Sequence, residues 1–189
     1  FGNVGSFAAK FLSNQGMRFV AVSDSRGCLF KKEGIDYEKL VQVKKKTGSV
    51  TNYPGSKQIC EQIIAADVDV LITAAIPDLI KPSDVDSIKA KLIVCGSNIA
   101  MSHETEEMLH KHKILVVPDF VANAGGVISS YVEYINGDEK KMWKMVEEKI
   151  TKNTDLVLKA ADKKKVSPRT AAMEIAKERV IKNCKTCKL

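Results

Sequence analysis

Short continuous apolar runs alternate with segments of helical periodicity along the first two thirds of the sequence. The apolar runs predict buried strands at residues 17–23, 69–74, 91–95 and 114–117. Helical spacing and capping residues predict helices at residues 4–15, 36–46, 56–66, 82–88 and 102–112. Strands without polar alternation that are separated by helices belong to parallel sheets covered on both faces. The sequence therefore predicts an α/β fold with a Rossmann-like, doubly wound parallel sheet.

The pattern becomes almost wholly helical after Gly126. Three more helices are predicted, at residues 127–135, 138–163 and 167–180. At 189 residues the chain is long enough for a substantial core and is most simply one domain. We expect residues 1–135 to form the sheet-containing part and residues 136–189 to be a C-terminal helical extension of the same domain.

The composition argues against nucleic-acid and membrane partners. The net charge is +7, but the lysines are interleaved with acidic residues, and aromatic residues make up only 6% of the chain. This pattern is typical of a solvated surface and lacks the signature of a nucleic-acid module. No apolar run approaches the length of a membrane span, and no signal peptide is visible. We therefore expect a cytoplasmic location.

The five cysteines show neither a disulfide framework nor a metal motif. They are odd in number and irregularly spaced, which fits a reducing compartment. Cys184 and Cys187 form the one Cys-x-x-Cys pair, but a zinc site needs a second pair of ligands. His110 and His112 do not have the matching spacing. We predict no metal site and interpret the pair as incidental thiols.

The opening residues and a later acid have the spacing of a dinucleotide-binding fingerprint. Gly2 and Gly5 lie in the first five residues, and Asp24 follows Gly5 by nineteen residues at the end of an apolar run. The first glycine of Gly-x-Gly-x-x-Gly would precede Phe1, so we expect the first strand to be missing or truncated. A glycine at position 2 lets the backbone approach a pyrophosphate, and one at position 5 lets the helix pack closely. The alternative is an ordinary turn and helix.

Small or polar residues follow every predicted strand, in the segments 24–27, 73–75, 96–98 and 118–126. Because the carboxyl ends of parallel strands share one edge of the sheet, ligands of such folds bind there. Asn98 and Asn123 can each donate and accept hydrogen bonds, as a carboxamide or a ribose requires. Either asparagine alone would be explained by stabilisation of its loop. Their convergence on one edge favours a nucleotide site.

Several segments together resemble one protein family. They are Phe1 to Gly5, Val20 to Gly27, Gly48 to Val50, Asp69 to Ile72, Pro118 to Val127 and Arg169 to Ala172. In this order they closely resemble the C-terminal, NAD(P)-binding domain of glutamate dehydrogenases. These enzymes belong to the glutamate/leucine/phenylalanine/valine dehydrogenase family, here in its archaeal or bacterial form. The resemblance covers essentially the whole chain, and residues 122–126, Ala-Asn-Ala-Gly-Gly, are its most specific part.

The resemblance implies oxidative deamination of an L-amino acid to a 2-oxo acid and ammonia, with NAD or NADP as cofactor. Residues 1–135 would be the dinucleotide-binding domain. The cofactor-binding residues would be Gly2, Asn3, Val4, Gly5, Asp24, Ser25, Arg26, Ala74, Ala75, Asn98 and Asn123. The opening turn would hold the pyrophosphate, Asp24 the adenosine ribose, and the two asparagines the nicotinamide side.

Val127 and Ser130 are the residues that the resemblance assigns to the amino-acid substrate. Ser130 matches a serine that reaches the side-chain carboxylate in glutamate-specific members, where leucine and phenylalanine relatives have an apolar residue. A buried polar group discriminates strongly between substrates that can and cannot pair with it. We therefore expect glutamate, with leucine, phenylalanine or valine as the alternative. Ser130 could also simply bond within its own helix.

The sequence leaves the choice between NAD and NADP open. Asp24 favours the free 2′-hydroxyl of NAD because its charge would repel a 2′-phosphate. Arg26 could pair with that phosphate and so favour NADP. A nucleotide-binding regulatory module without turnover is a further interpretation of the same residues.

We predict no catalytic residue in this chain. The resemblance implies that the catalytic lysines and aspartate lie in an N-terminal domain, which also forms most of a homohexamer. The fragment alone is therefore expected to be inactive and monomeric. The chain departs from the family pattern at residues 73–76 and 95–102, although Asn98 is retained. Cys95 is not expected to be a nucleophile, because this chemistry needs none.

Overall fold

The structure, a computed structural model, describes residues 1–58 and 63–184. The strands in these residues are β1 (Ala21–Asp24), β2 (Gly27–Phe30), β3 (Lys57–Gln58), β4 (Val70–Thr73), β5 (Leu92–Cys95) and β6 (Leu115–Val117). The α-helices are α1 (Asn3–Asn14), α2 (Tyr37–Thr47), α3 (His103–Lys111), α4 (Asp119–Ala122), α5 (Gly125–Tyr134), α6 (Glu139–Lys164) and α7 (Pro168–Asn183). Short 3-10 helices span Val50–Asn52 and Pro82–Ser87.

β4, β5 and β6 form a parallel sheet in that order, as the apolar runs predict. Ile93 of β5 lies opposite Leu71 of β4 and Val116 of β6, and its side chain is 0% exposed. Leu109 of α3 packs into the same core. Because the three strands are parallel, the loops that follow them lie at one edge of the sheet, where the candidate site is.

β1, β2 and β3 form a second, antiparallel sheet that the sequence-based prediction lacks. The strand predicted at 17–23 begins only at Ala21, and the chain then reverses into β2. The Asp24 carboxylate accepts the Arg26 N–H at 2.9 Å and so stabilises this tight turn. The α/β class with a parallel sheet is confirmed, but the described strands lie in two sheets.

The helix predicted at 56–66 is wrong in the described residues, because Lys57 and Gln58 form β3 and residues 63–66 form a bend and a turn. Gln58 lies opposite Leu29 of β2. Residues 59–62 lie outside the described part of the chain.

Capping explains why the predicted bounds of α2 are nearly correct. Asp36 accepts the Lys39 N–H at 2.7 Å, and Gly48 ends the helix with a left-handed φ of +78°.

The C-terminal helices pack on one another and on the edge of the parallel sheet. Val157 of α6 and Ala172 of α7 form a buried cluster with Val117 of β6 and Val121 of α4. This cluster connects the helical extension to the strand ends. α4 has only four residues, too few to show helical periodicity, so the sequence pattern did not predict it.

Two further findings concern the described residues alone. Within 1–58 and 63–184, no helix combines the length and apolar character needed to cross a bilayer. The same residues contain no group of three or more potential metal ligands from histidine, cysteine, aspartate and glutamate. Cys184 is disulfide-bonded, so its interpretation as an incidental thiol is wrong. Cys187, the other half of the Cys-x-x-Cys pair, lies outside the described residues.

Candidate functional site

The N-terminal turn of α1 lies at the carboxyl ends of three strands. The Phe1 nitrogen donates a hydrogen bond to the Ser23 carbonyl in β1. A Cβ built on Gly5 would lie 3.6 Å from the Ala74 Cβ, just beyond β4. A Cβ built on Gly96, just beyond β5, would lie 3.2 Å from a side chain in the first turn of α1. α1 therefore begins where the strands end, as the fingerprint predicts.

Gly2 has no steric reason within the chain to be glycine. It caps α1 in an extended conformation with φ −92°, and a Cβ there would meet no atom within 4 Å. The residues that follow it, Asn3 and Val4, are exposed. The first N–H groups of a helix have no intrahelical acceptor, and the helix dipole favours an anion beside them. The turn is thus an unobstructed backbone cradle that fits a diphosphate.

Asp24 is buried, and both of its carboxylate oxygens have partners. Oδ2 accepts the Val50 N–H at 2.8 Å and lies 3.3 Å from the Lys44 Nζ. Oδ1 accepts the Arg26 N–H at 2.9 Å and the Ser49 hydroxyl at 3.2 Å. Burial by itself raises the pKa of Asp24. The hydrogen bonds from Val50 and Arg26, with the Lys44 ammonium, outweigh burial and hold that pKa below its ordinary value.

This geometry gives Asp24 a structural role that the fingerprint does not predict. The carboxylate joins the turn after β1 to the segment after α2, and its side chain is only 2% exposed. Ser25 and Arg26, the next two residues, are exposed. The resemblance segment Gly48 to Val50 carried a signal for this contact, since it supplies two of the four donors. A contact between Asp24 and a ribose stays a prediction.

Cationic side chains border an open cavity beside the α1 turn. The cavity has a volume of about 450 Å³ and lies between the first turn of α1 and the α2 residues Tyr37, Lys44 and Lys45. Arg26 lies nearby, where its Nη1 donates to the Thr47 carbonyl at 3.4 Å. Positive charge around a cavity at a helix N-terminus suits a ligand that carries phosphate.

The structure brings the two predicted asparagines together. The Asn123 Nδ2 donates to the Asn98 Oδ1 at 2.7 Å. The neighbouring Ser97 Oγ is buried and has no hydrogen-bond partner. A buried hydroxyl without a partner is unusual in a native protein and fits a place that receives a ligand or a water molecule. Ala74 is half-buried and Ala75 exposed, so the end of β4 leaves space in front of α1.

Val127 and Ser130 lie one turn apart on α5. The Ser130 hydroxyl donates to the Gly126 carbonyl at 3.2 Å, which is the intrahelical bond considered as the alternative from the sequence. Val127 is 76% exposed. A Cβ built on Gly126 would meet no atom within 4 Å, so this glycine, like Gly2, lies beside open space. The contacts of Val127 and Ser130 with a substrate stay predictions.

Cys95 has the properties of a packing residue. Its side chain is 1% exposed at the end of β5. Burial, assisted by the negative charge of Glu106, raises the pKa of the Cys95 thiol to about 12. The thiolate is the nucleophilic form of cysteine, so this thiol is unreactive at neutral pH. This agrees with the expectation that Cys95 takes no part in chemistry.

A buried charge cluster lies behind the asparagines, and the sequence analysis assigned it no role. The Arg169 Nη2 donates to the Glu106 Oε1 at 2.7 Å and to the Asp119 Oδ1 at 2.8 Å. The Glu106 side chain is 2% exposed and that of Asp119 12%. The partners lie 63 and 50 residues apart, so no local pattern reveals them. The only sequence signal for this cluster is that Asp119 and Arg169 lie in segments that carry the family resemblance.

A comparison with protein families identifies the family of this chain. A family model described as Glutamate/Leucine/Phenylalanine/Valine dehydrogenase matches residues 1–186. The chain belongs to this family. The resemblance inferred from the sequence is therefore confirmed, including its archaeal or bacterial character.

Two curated members illustrate the similarity. A glutamate dehydrogenase from Aeropyrum pernix is 43% identical over 197 residues, which cover 98% of this chain and 47% of the relative. An NADP-specific glutamate dehydrogenase from Saccharolobus shibatae is 38% identical over 195 residues, which cover 98% of this chain and 46% of the relative. The chain thus spans about half the length of the curated relatives it matches.

A solved structure of the family shares the fold. The crystal structure of a hetero-hexameric glutamate dehydrogenase from Thermus thermophilus matches with a TM-score of 0.84 at 26% identity. The match covers 95% of this chain and 44% of that one. This similarity extends over nearly the whole described chain and confirms the α/β fold class of the family.

Proposed function

We propose that this chain is the NAD(P)-binding part of a glutamate dehydrogenase, which deaminates L-glutamate oxidatively to 2-oxoglutarate and ammonia. Family membership and the activity named for the similar proteins support the reaction. The observation that carries the cofactor role is the first turn of α1. There Gly2 lies beside open space at the strand ends, although nothing in the chain requires a glycine at that position.

The residues of the chain hold the dinucleotide in this proposal. The N–H groups of the turn from Gly2 to Gly5 bind the diphosphate, as the N-terminus of a helix favours. Asn98 and Asn123 offer amide donors and acceptors to the nicotinamide ribose and carboxamide. A nicotinamide ring held there would supply the hydride acceptor for oxidation of the substrate. Fixed donors at both ends of the cofactor orient the ring toward the amino acid.

Both NAD and NADP fit the adenosine side. Asp24 is the charge that would repel a 2′-phosphate, but it is buried and paired with Lys44 at 3.3 Å. The exposed Ser25 and Arg26, together with Lys45 beside the cavity, leave the accessible surface neutral or positive. We therefore propose that the site accepts either cofactor.

Glutamate is the proposed substrate, with leucine, phenylalanine or valine as the alternative within the family. Ser130 would exchange its bond to the Gly126 carbonyl for one to the substrate side-chain carboxylate, and Val127 would line the same pocket. The intrahelical bond of Ser130 is 3.2 Å long and exposed, so its loss costs little.

We propose that the catalytic groups lie in the half of the relatives' length that this chain does not cover. The full-length protein would be a cytoplasmic homohexamer; the T. thermophilus structure supports the hexameric state, although that assembly is hetero-hexameric. Residues 1–135 would form the dinucleotide-binding domain, and residues 136–189 its helical extension. The fragment alone would bind cofactor as a monomer without turnover.

The substitution Gly2→Ala tests the cofactor role by calorimetric titration of the 189-residue chain with NAD⁺ and NADP⁺. The new Cβ meets no protein atom, so the melting temperature should fall only slightly, through the weaker N-cap that alanine provides for α1. The methyl group would instead occupy the cradle, so we expect binding of both dinucleotides to weaken at least tenfold, a loss of about 1.4 kcal/mol.

Lys10→Ala, on an exposed part of the same helix, is the control for a general loss of positive charge. It should bind both dinucleotides as the original chain does, at low and at high salt. Absence of saturable binding to the original chain would overturn the proposed function. Unchanged binding by Gly2→Ala would show that the diphosphate does not bind at this turn.

A further inference from the structure

Ile99 adopts a strained backbone conformation directly after Asn98. Its φ is +49°, in the left-handed region, and its side chain is 59% exposed. A β-branched residue in this region is a genuine outlier, and the left-handed conformation costs about 1–2 kcal/mol. An exposed side chain recovers little of this cost through burial. Neighbouring groups must therefore hold the backbone at Ile99.

Two hydrogen bonds fix both peptide groups of Ile99. Its N–H donates to the Asp119 Oδ2 at 2.8 Å. Its carbonyl accepts the Asp78 N–H at 2.8 Å. A bond from a neutral donor to an ionised carboxylate is stronger than one between neutral groups. Asp119 thus supplies the stronger of the two restraints.

Asp119 also holds the second asparagine of the pair. Its carbonyl accepts the Asn123 N–H at 2.7 Å, in the short helix α4. The Asn123 side chain then donates to the Asn98 Oδ1 at 2.7 Å. Asp119 is therefore bonded to the backbone of Ile99, next to Asn98, and to the backbone of Asn123.

Arg169 orients the Asp119 carboxylate from behind. It donates to Oδ1 at 2.8 Å and leaves Oδ2 for Ile99. The guanidinium also bonds Glu106 at 2.7 Å and lies over the Phe120 ring at 5.3 Å. These contacts fix the guanidinium. The loop that carries Asn98 is therefore connected to α7 through Asp119 and Arg169.

We propose that Asp119 is the positioning residue that sets the Asn98–Asn123 pair for the nicotinamide half of the dinucleotide. The inference rests on the proposed function. Without the Asp119 carboxylate, Ile99 relaxes to a negative φ, and the Asn98 side chain moves away from Asn123. The adenosine half is unaffected, because its proposed binding groups lie on α1, on α2 and at the end of β1, and none of them is bonded to Asp119.

The effect of Asp119→Ala can be measured separately on the two halves of the cofactor. Calorimetry with NAD⁺ probes both halves, and calorimetry with ADP probes only the adenosine and diphosphate half. We expect the affinity of Asp119→Ala for NAD⁺ to fall about tenfold, the effect of one lost hydrogen bond near the ligand. The affinity for ADP should stay within about twofold of the original chain, the scale of 0.4 kcal/mol.

Glu106→Gln is the matched control. It weakens the ion pair between Glu106 and Arg169, in the same buried cluster, but leaves the bond between Asp119 and Ile99. Its melting temperature should fall, while its ratio of NAD⁺ to ADP affinity stays unchanged. A purely structural role of the cluster predicts instead that Glu106→Gln and Asp119→Ala lose affinity for both ligands in proportion to their loss of stability.

A measurement on the original chain covers the case in which Asp119→Ala does not fold. Hydrogen exchange by NMR should show a protected Ile99 amide, despite the exposed position of this residue. An unprotected Ile99 amide, or equal losses of NAD⁺ and ADP affinity in Asp119→Ala, would overturn the inference. An original chain that binds neither NAD⁺ nor ADP would instead overturn the proposed function. The exchange result would still test the hydrogen bond between Ile99 and Asp119.

Discussion

Asp24 has a structural role at the position where the fingerprint predicts a contact with a ribose. The spacing from Gly5 predicted an acid beside a ribose, whereas the structure shows a buried carboxylate with donors from Arg26, Ser49 and Val50. The spacing reveals where the acid lies in the chain. It does not reveal the orientation of the side chain, because that depends on donors about 25 residues away.

Asp24→Asn should lower the free energy of unfolding at pH 7 by about 1–3 kcal/mol, since it weakens a buried hydrogen-bonded charge. The lowered pKa of Asp24 means that its contribution is complete above the ordinary value of 3.8 and is lost as the pH falls below that value. Chemical denaturation from pH 7 to pH 2 should therefore show the two proteins converging in acid. Asp69→Asn, which breaks an exposed pair with Lys91, is the control. Solvent screens this pair, so its difference between pH 7 and pH 2 should be much smaller.

Ile99→Gly should stabilise the chain by about 1 kcal/mol, because glycine adopts a left-handed conformation without the steric cost that Ile99 incurs. Thermal melts would measure the gain. Ile76→Gly replaces an isoleucine of similar exposure whose φ is not positive, and it should destabilise the chain instead. A lower melting temperature for Ile99→Gly would show that the Ile99 side chain contributes more than its exposure indicates.

At the scale of elements, the sequence predicted most helices and the parallel strands but missed β2, β3 and α4. The helices were predictable because caps such as Asp36 and terminators such as Gly48 act locally. β2 follows from a turn that Asp24 stabilises through Arg26, and this contact has no periodic signature. The asparagine pair was predictable from strand ends, whereas the Arg169 cluster was not, because its members come from α3, α4 and α7.

The junction between α5 and α6 depends on Gly137. A Cβ there would lie 2.6 Å from a side-chain carbon of Val132 and 3.1 Å from its carbonyl oxygen. Gly137→Ala should therefore destabilise the chain by about 1–3 kcal/mol, the usual cost of overpacking. Gly126→Ala adds the same methyl group to open space inside α5, where alanine is the better helix former, so its melting temperature should not fall. Equal melting temperatures for the two variants would contradict the packing described for this junction.

At the scale of the whole molecule, the site is assembled from both ends of the chain. α1 supplies the cradle, the parallel sheet supplies Asn98, and α7 supports that loop through Arg169 and Asp119. Family membership and the strand ends were accessible from sequence because they repeat a known order of segments. The division into two sheets was not, because it depends on which strands pair across the molecule.

We expect a dinucleotide to bind across the first turn of α1 and the asparagine pair. NMR titration of the isotopically labelled chain with NADP⁺ tests it most directly. We predict saturable shifts of the Gly2 to Gly5 amides and of the Asn98 and Asn123 side-chain amides, with α6 residues such as Lys159 unaffected. Saturable shifts confined to other surfaces, with the α1 turn unchanged, would contradict the account.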